Sequence, residues 1–146
     1  MKKQSLLIAF LAFGSGLFAQ EKLYIHLSDK MTLGALISET DSIYFSNDGS
    51  ITYFRISDTL AQYQTQSIDS LTFGENSNTI YVTYNGNEAS VINPLAFEGV
   101  QVTRTNDDVT VNSTSDKQDI NYKLSGTTTN GTFKMYSLKR SNLFLN

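Results

Sequence analysis

The sequence predicts an all-β fold on three observations. Apolar and polar residues alternate along several short segments, which is typical of strands with one buried face. Turn signals rich in Asn, Asp and Gly separate these segments. Downstream of residue 20 no apolar helical stripe exceeds about two turns, and the best helical candidate is the short segment DTLAQYQ around Leu60.

The first 19 residues have the layout of a secretory signal peptide. Lys2 and Lys3 precede an apolar run from Leu6 to Phe13, and the segment GLFAQ follows. A basic region, an apolar region and a small residue at the cut are typical of export signals. The apolar run is shorter than the roughly 20 residues of a membrane span. We therefore expect cleavage after Ala19 and export to the periplasm, the cell surface or the medium.

Composition limits the partners of the mature chain. Removal of Lys2 and Lys3 lowers the Lys and Arg count from 11 to 9 against 14 Asp and Glu, which gives a formal charge of −5. No basic run remains, so nucleic acid and anionic membrane surfaces are not expected partners. The sequence contains no cysteine, so no disulfide is expected, although an exported protein could form one.

Alternation assigns one buried face to each predicted strand. In LYIHL, the residues Leu23, Ile25 and Leu27 share one face, while Tyr24 and His26 share the other. The same two-residue rhythm recurs at Ile80, Val82 and Tyr84; Val100 and Val102; Val109 and Val111; Ile120, Tyr122 and Leu124; and Phe133 and Met135. The turn signals between these runs lie at 47–49, 85–86, 106–108 and 130–131.

Residues 20–76 contain two β-rich copies of one pattern. The Ser-Asp pair at 28–29 corresponds to the pair at 57–58, and DSIYF at Asp41 corresponds to DSLTF at Asp69, 28 residues later. Each copy predicts a strand, a Ser-Asp turn, a second short strand and an Asp-Ser pair that opens a third strand. Asp41 and Asp69 are interpreted as equivalent turn residues, because neither has a second carboxylate at a fixed offset within its copy.

A second unit, residues 77–146, follows the segment GENSNT. Its characteristic segments are ASV at 89–91, GVQV at 99–102, DVTVNST at 108–114 and INYKLSGTTTNGTFKMYS at 120–137. Together these segments resemble the N-terminal start of a family of exported bacterial carbohydrate-binding-domain proteins. The repeats before them also resemble short modules that precede such domains in polysaccharide-degrading Gram-negative bacteria.

The resemblance implies a right-handed parallel β-helix with bound calcium that binds pectin- or cellulose-like polysaccharide. In that family the long final segment leads into the first full rung, and here SNLFLN at 141–146 stands in its place. We therefore expect a truncated or frameshifted member with the start of the β-helix. An open β edge at Leu143, Phe144 and Leu145 would then favour self-association. The alternative is a small, complete β-sandwich.

No functional residue carries over from the family, because its calcium and sugar sites lie on later rungs. Candidates for stacking on sugar rings are Tyr24, Tyr53, Tyr81 and Tyr136, since a Tyr ring offers a flat apolar face with a polar tip. Candidates for calcium ligands are Asp107, Asp108, Asp116 and Asp119, which supply hard oxygen ligands. Tyrosine is also common in strands, and Asn-Asp-Asp between two Val runs is a typical turn.

Catalytic chemistry is not predicted. The sequence has one histidine, His26, and it lacks a cysteine nucleophile, a Gly-x-Ser-x-Gly segment, a phosphate-binding loop and paired zinc-binding histidines. Two functions remain. The first is a secreted, non-catalytic polysaccharide-binding protein or a fragment of one, and the second is a structural or adhesive surface domain that contacts other proteins.

Overall fold

The computed structural model describes residues 21–116 and 119–146, which fold as β-strands joined by turns. The all-β prediction is confirmed. The predicted signal peptide, residues 1–19, lies outside the described residues. The strands are β1 Glu21–Leu27, β2 Met31–Leu36, β3 Thr40–Phe45, β4 Ile51–Ile56, β5 Thr59–Gln64, β6 Ile68–Glu75, β7 Thr79–Gly86, β8 Glu88–Asn93, β9 Val100–Thr105, β10 Asp108–Ser113, β11 Ile120–Thr128, β12 Phe133–Ser137 and β13 Ser141–Leu145.

The strands form three sheets. The largest has seven strands in the order β13-β11-β7-β8-β2-β1-β6, and the two smaller sheets have the orders β3-β4-β5 and β12-β10-β9. The segment around Leu60, the best helical candidate in the sequence, is strand β5, whose whole length pairs with β4. Among the described residues, no helix is long and apolar enough to cross a membrane.

The two sequence copies exchange their third strands. In each copy two strands form a hairpin and a 3-10 turn, Ile37–Glu39 or Thr65–Ser67, leads into the third. That third strand pairs with the first strand of the other copy: β3 with β4, and β6 with β1. Asp41 and Asp69 occupy equivalent positions at the register shifts of these two pairings. The copies therefore depend on each other for their third strands.

Two apolar clusters lie on the inner face of the seven-stranded sheet. One lies against the β3-β4-β5 sheet and contains Leu23, Ile25, Ala35, Ile43, Phe54 and Ile56. The other lies against the β12-β10-β9 sheet and contains Met31, Ile80, Val82, Tyr84, Ala89, Val91, Leu95, Val100, Val109, Val111, Ile120 and Tyr122. Leu27 and Leu33 pack against both clusters, so the two cores adjoin. The outer face of the large sheet has no second layer of described strands.

Strands from both sequence regions share the large sheet. β2, from the repeat copies, pairs in parallel with β8, from the second unit. A second link lies at the start of β1, where Lys22 Nζ donates to the carbonyl oxygen of Pro94 and to the Glu98 carboxylate. The boundary near residue 76 between the repeat copies and the second unit stays a prediction from the sequence. Strands from both sides of that boundary belong to the same sheet.

From β10 onward the chain alternates between two sheets. β10 and β12 lie side by side in one small sheet and are parallel, while β11 and β13 are parallel neighbours in the large sheet. β11 is also parallel to β7. A small β-sandwich, the alternative predicted from the sequence, is compatible with this arrangement.

Candidate functional site

A row of side chains crosses the outer face of the seven-stranded sheet. Each member lies directly opposite the next one on the neighbouring strand, and paired residues point to the same face. From β13 to β6 the row consists of Phe144, Lys123, Tyr81, Ile92, Thr32, His26 and Ser70. We call it the cross-strand row.

Alternation within each strand places the row outside. In β7 the flanking residues Ile80 and Val82 are fully buried, whereas the Tyr81 residue is 39% exposed. In β8 the flanking Val91 and Asn93 are buried, and Ile92 is exposed. Tyr81 and Ile92 lie opposite each other, so together they form an apolar patch at the middle of the sheet.

Polar groups border this patch on both sides. Toward β6, the His26 ring nitrogens lie 3.1 Å from Thr32 Oγ1 and 2.8 Å from Thr72 Oγ1. Toward β13, Asn142 Nδ2 donates to Asn121 Oδ1 over 2.9 Å. Both ring nitrogens of His26 already have hydroxyl partners, whereas the hydroxyls and amides keep further hydrogen-bonding capacity for a ligand that lies across the strands.

Two of the four candidate tyrosines share this face. Tyr24 lies outward on β1, and its hydroxyl donates to the carbonyl oxygen of Glu75 over 3.0 Å. Burial raises the pKa of Tyr24, and the nearby Tyr81 hydroxyl adds to that rise. Between them, the Pro94 backbone lies close over Gly34, where an added Cβ would stand 2.7 Å from Pro94 Cα.

The other two tyrosines lie elsewhere. Tyr53 is on the β3-β4-β5 sheet, where its ring stacks on Tyr44 with centroids 4.9 Å apart. Tyr136 is on β12 opposite Asn112 and is 59% exposed. The structure therefore places Tyr24 and Tyr81 on one face of the large sheet and places Tyr53 and Tyr136 on the other two sheets.

The four candidate acids do not form one site. Asp107 and Asp108 lie at the start of β10, whereas Asp116 and Asp119 follow its end, about 15–20 Å away along the strand. In residues 21–116 and 119–146 no group of three or more His, Cys, Asp or Glu side chains could hold a metal ion. These acids do not supply the six to eight oxygen ligands that calcium prefers.

Asp107 and Asp108 instead form hydrogen bonds with the β11–β12 turn. Asp107 Oδ2 accepts from Thr128 Oγ1 at 2.6 Å, while Asp108 Oδ1 accepts from Thr132 Oγ1 at 2.6 Å and from Thr132 N at 3.0 Å. The β9–β10 and β11–β12 turns are thereby joined. Asp107 and Asp108 therefore act as turn residues, which is the alternative to calcium binding that the sequence offered.

These contacts predict a pH effect at Asp108. The Thr132 hydroxyl and amide hold the pKa of Asp108 below its ordinary value of 3.8. A lowered folded-state pKa means that the contribution to stability is present above that ordinary value and is lost as the pH falls through the folded pKa. Thr132→Val should raise the Asp108 pKa, measured by NMR titration of its carboxyl carbon, while Thr110→Val should leave it unchanged. An unchanged Asp108 pKa in Thr132→Val would contradict this assignment.

Sequence reasoning did not find Thr32 or Ile92 as neighbours of Tyr81. Alternation marks both as outward residues, but their place in the row depends on the β2–β8 and β7–β8 pairings. β2 and β8 are far apart in the sequence, and no local signal specifies that they pair.

Comparison with known proteins identifies no relative. No protein-family model, curated protein or solved structure matches this chain.

Proposed function

We propose that this chain is a secreted, non-catalytic polysaccharide-binding protein whose glycan lies on the cross-strand row. The observation that carries the proposal is the exposed Tyr81–Ile92 patch in the middle of a sheet face that no second layer of described strands covers, with Tyr24 on the same face. A pyranose ring can stack on a Tyr face while its hydroxyls bond to neighbouring polar groups. Thr32 and the Asn121–Asn142 pair supply such groups.

The length of the row suits an extended ligand. Phe144 lies two strands from Tyr81, which corresponds to about 10 Å. The ligand would cross the strands at this spacing and rest first on Tyr81 and then on Phe144. Lys123 lies between these two rings in the row and can pair with a carboxylate. This cation favours an acidic, pectin-like glycan over a neutral, cellulose-like one.

The proposed scaffold of residues 77–146 is the start of a right-handed parallel β-helix. Support comes from the alternation of β10, β11, β12 and β13 between two sheets, with parallel pairing within each sheet. The inward residue Tyr122 is fully buried beneath these strands, and its ring meets Phe133 edge-on at 5.6 Å. Stacked coils of this kind bury their inward residues between successive turns.

Tyr81→Ala tests the proposed glycan site. We expect it to weaken binding to polygalacturonate about tenfold, which corresponds to ~1.4 kcal/mol, because the central stacking surface is lost. Affinity electrophoresis in gels that contain the polysaccharide gives the measurement. Tyr136→Ala is the matched control, because Tyr136 is an exposed strand tyrosine on a different sheet.

Two results would count against the proposal. If the unaltered chain binds neither polygalacturonate nor cellulose, the row is not a glycan site. If Tyr136→Ala weakens binding and Tyr81→Ala does not, the glycan lies on another face. Lys123→Met separates the two glycan classes, since it should weaken binding to polygalacturonate and leave binding to cellulose unchanged.

A structural or adhesive role is the second candidate. It is favoured by exposed apolar residues at both edges of the seven-stranded sheet, Leu71 and Phe73 on β6 and Leu143 and Leu145 on β13. Exposed strand edges with apolar side chains are templates for pairing with another chain.

A further inference from the structure

We propose that copies of this chain assemble head to tail, with β13 of one copy added to β6 of the next. Such an addition continues the seven-stranded sheet from copy to copy. The inference concerns the sheet edges and does not depend on glycan binding.

The two edges carry matching apolar residues. On β6, Leu71 and Phe73 point inward and are 41% and 58% exposed. On β13, Leu143 and Leu145 point inward and are 45% and 73% exposed. Both pairs have the two-residue spacing of one strand face, and in the interior of the same sheet that face is buried.

Strand direction makes the pairing antiparallel. β13, β11 and β7 run one way, β8 and β2 run the other, β1 runs as β13 does, and β6 runs against it. When the sheet continues with its inner face on the same side, β13 therefore meets the next β6 antiparallel. With Ser141 opposite Glu75, Leu143 falls opposite Phe73 and Leu145 opposite Leu71.

An apolar cleft beside β6 gives the incoming residues a site to cover. The cleft has a volume of about 290 Å³ and lies between β1 and β6 on one sheet and β3 and β4 on the other. Leu71 and Phe73 line it together with Phe45 and Phe54. In the proposed register Leu143 and Leu145 of the neighbouring copy pack over the Leu71–Phe73 side of this cleft and remove it from water.

Charge also favours a second copy as the occupant. Glu75 lies directly opposite Glu21 at the end of β6, and opposed like charges destabilise a strand pair. Lys139 and Arg140 immediately precede β13, at the sheet end that corresponds to Glu75. Antiparallel addition brings these cations beside the two acids. The β6 sequence IDSLTFGE contains acidic residues and no basic ones.

A contact between two different edges does not produce a closed dimer. Each copy that adds through β13 still presents its own β6 at the far end, so the assembly grows as a linear series. Pairing of two β13 edges with each other would instead stop at a dimer.

Two edge variants distinguish these assemblies in sedimentation experiments on the chain beginning at Gln20. Phe73→Lys places a charge on the β6 edge, and Leu145→Lys places one on the β13 edge. Both side chains are more than half exposed, so the fold should tolerate either change. We expect the unaltered chain to gain mass with concentration, each variant alone to remain monomeric, and an equimolar mixture to form a one-to-one dimer and nothing larger.

Three outcomes would overturn the proposal. They are a monomeric unaltered chain at all concentrations, association of either variant alone, and a mixture that stays monomeric. Association of Phe73→Lys alone would indicate pairing of two β13 edges. Glu75→Lys and Arg140→Glu provide an independent check outside the core: each alone should weaken association at least tenfold, and the double variant should restore it.

Discussion

Replacing Lys22 with methionine is expected to lower the free energy of unfolding by about 3–5 kcal/mol. The Lys22 side chain is fully buried, and its ammonium group contacts the Glu98 carboxylate, whose side chain is 12% exposed. The same ammonium donates to the Pro94 carbonyl oxygen. Removing it leaves a mostly buried carboxylate without this countercharge and a carbonyl without this donor. Urea denaturation followed by circular dichroism measures the loss.

The effect should be large because the ion pair holds the turn between β8 and β9. Leu95 of that turn is buried in one apolar cluster, and Phe97 packs against the other. The pair therefore fixes the segment at which the two cores adjoin. Loss of Lys22 should loosen both cores together.

Lys30→Met is the matched control for Lys22→Met. Lys30 pairs with Glu88, but the two side chains are 48% and 55% exposed, so water screens the pair and this change should cost far less stability than Lys22→Met. The double variant Lys22→Met/Glu98→Met should regain most of the stability lost in Lys22→Met, because neither member of the buried pair then stays without the other. Equal losses in Lys22→Met and Lys30→Met would show that burial gives the first pair no special weight.

Gly126→Ala is expected to cost about 2–5 kcal/mol of stability. Gly126 lies in β11 with φ of 85°, a left-handed conformation that L-residues adopt at a cost. An added Cβ would also stand 2.0 Å from the carbonyl oxygen of Tyr84, so β11 and β7 would have to separate locally. Thermal or urea unfolding gives the measurement. Because β7 and β11 carry Tyr81 and Lys123, affinity for polygalacturonate should fall as well.

Gly86→Ala separates the two causes of this loss. Gly86 also has a positive φ, 66°, but no atom lies within 4 Å of its added Cβ. Its substitution should cost only the backbone strain, about 1–2 kcal/mol. If Gly126→Ala were no more destabilising than Gly86→Ala, the close approach of β11 to Tyr84 would not contribute to the loss of stability.

Sequence reasoning predicted the strands and their faces because those are local properties. The alternation in TIYVTY places Ile80 and Val82 in the core and Tyr81 outside, as the structure has them. It also identified Asp41 and Asp69 as equivalent, and both lie at equivalent register shifts. The second short strand predicted after the Ser-Asp turn at 57–58 is present as β5, which pairs with β4, although the same segment was the best helical candidate in the sequence.

The sequence by itself determined an all-β chain, the inward face of most strands and the positions of several turns, because a two-residue period and turn chemistry are written within a few neighbouring residues. Only the tertiary structure decided which strands are neighbours: β6 beside β1, β8 beside β2, and therefore Tyr81 in one row with His26. It also decided that Lys22 is buried, since its countercharge at Glu98 lies 76 residues away. Strand alternation specifies a face but not a partner, and a partner is selected by the burial and charge pairing of distant segments.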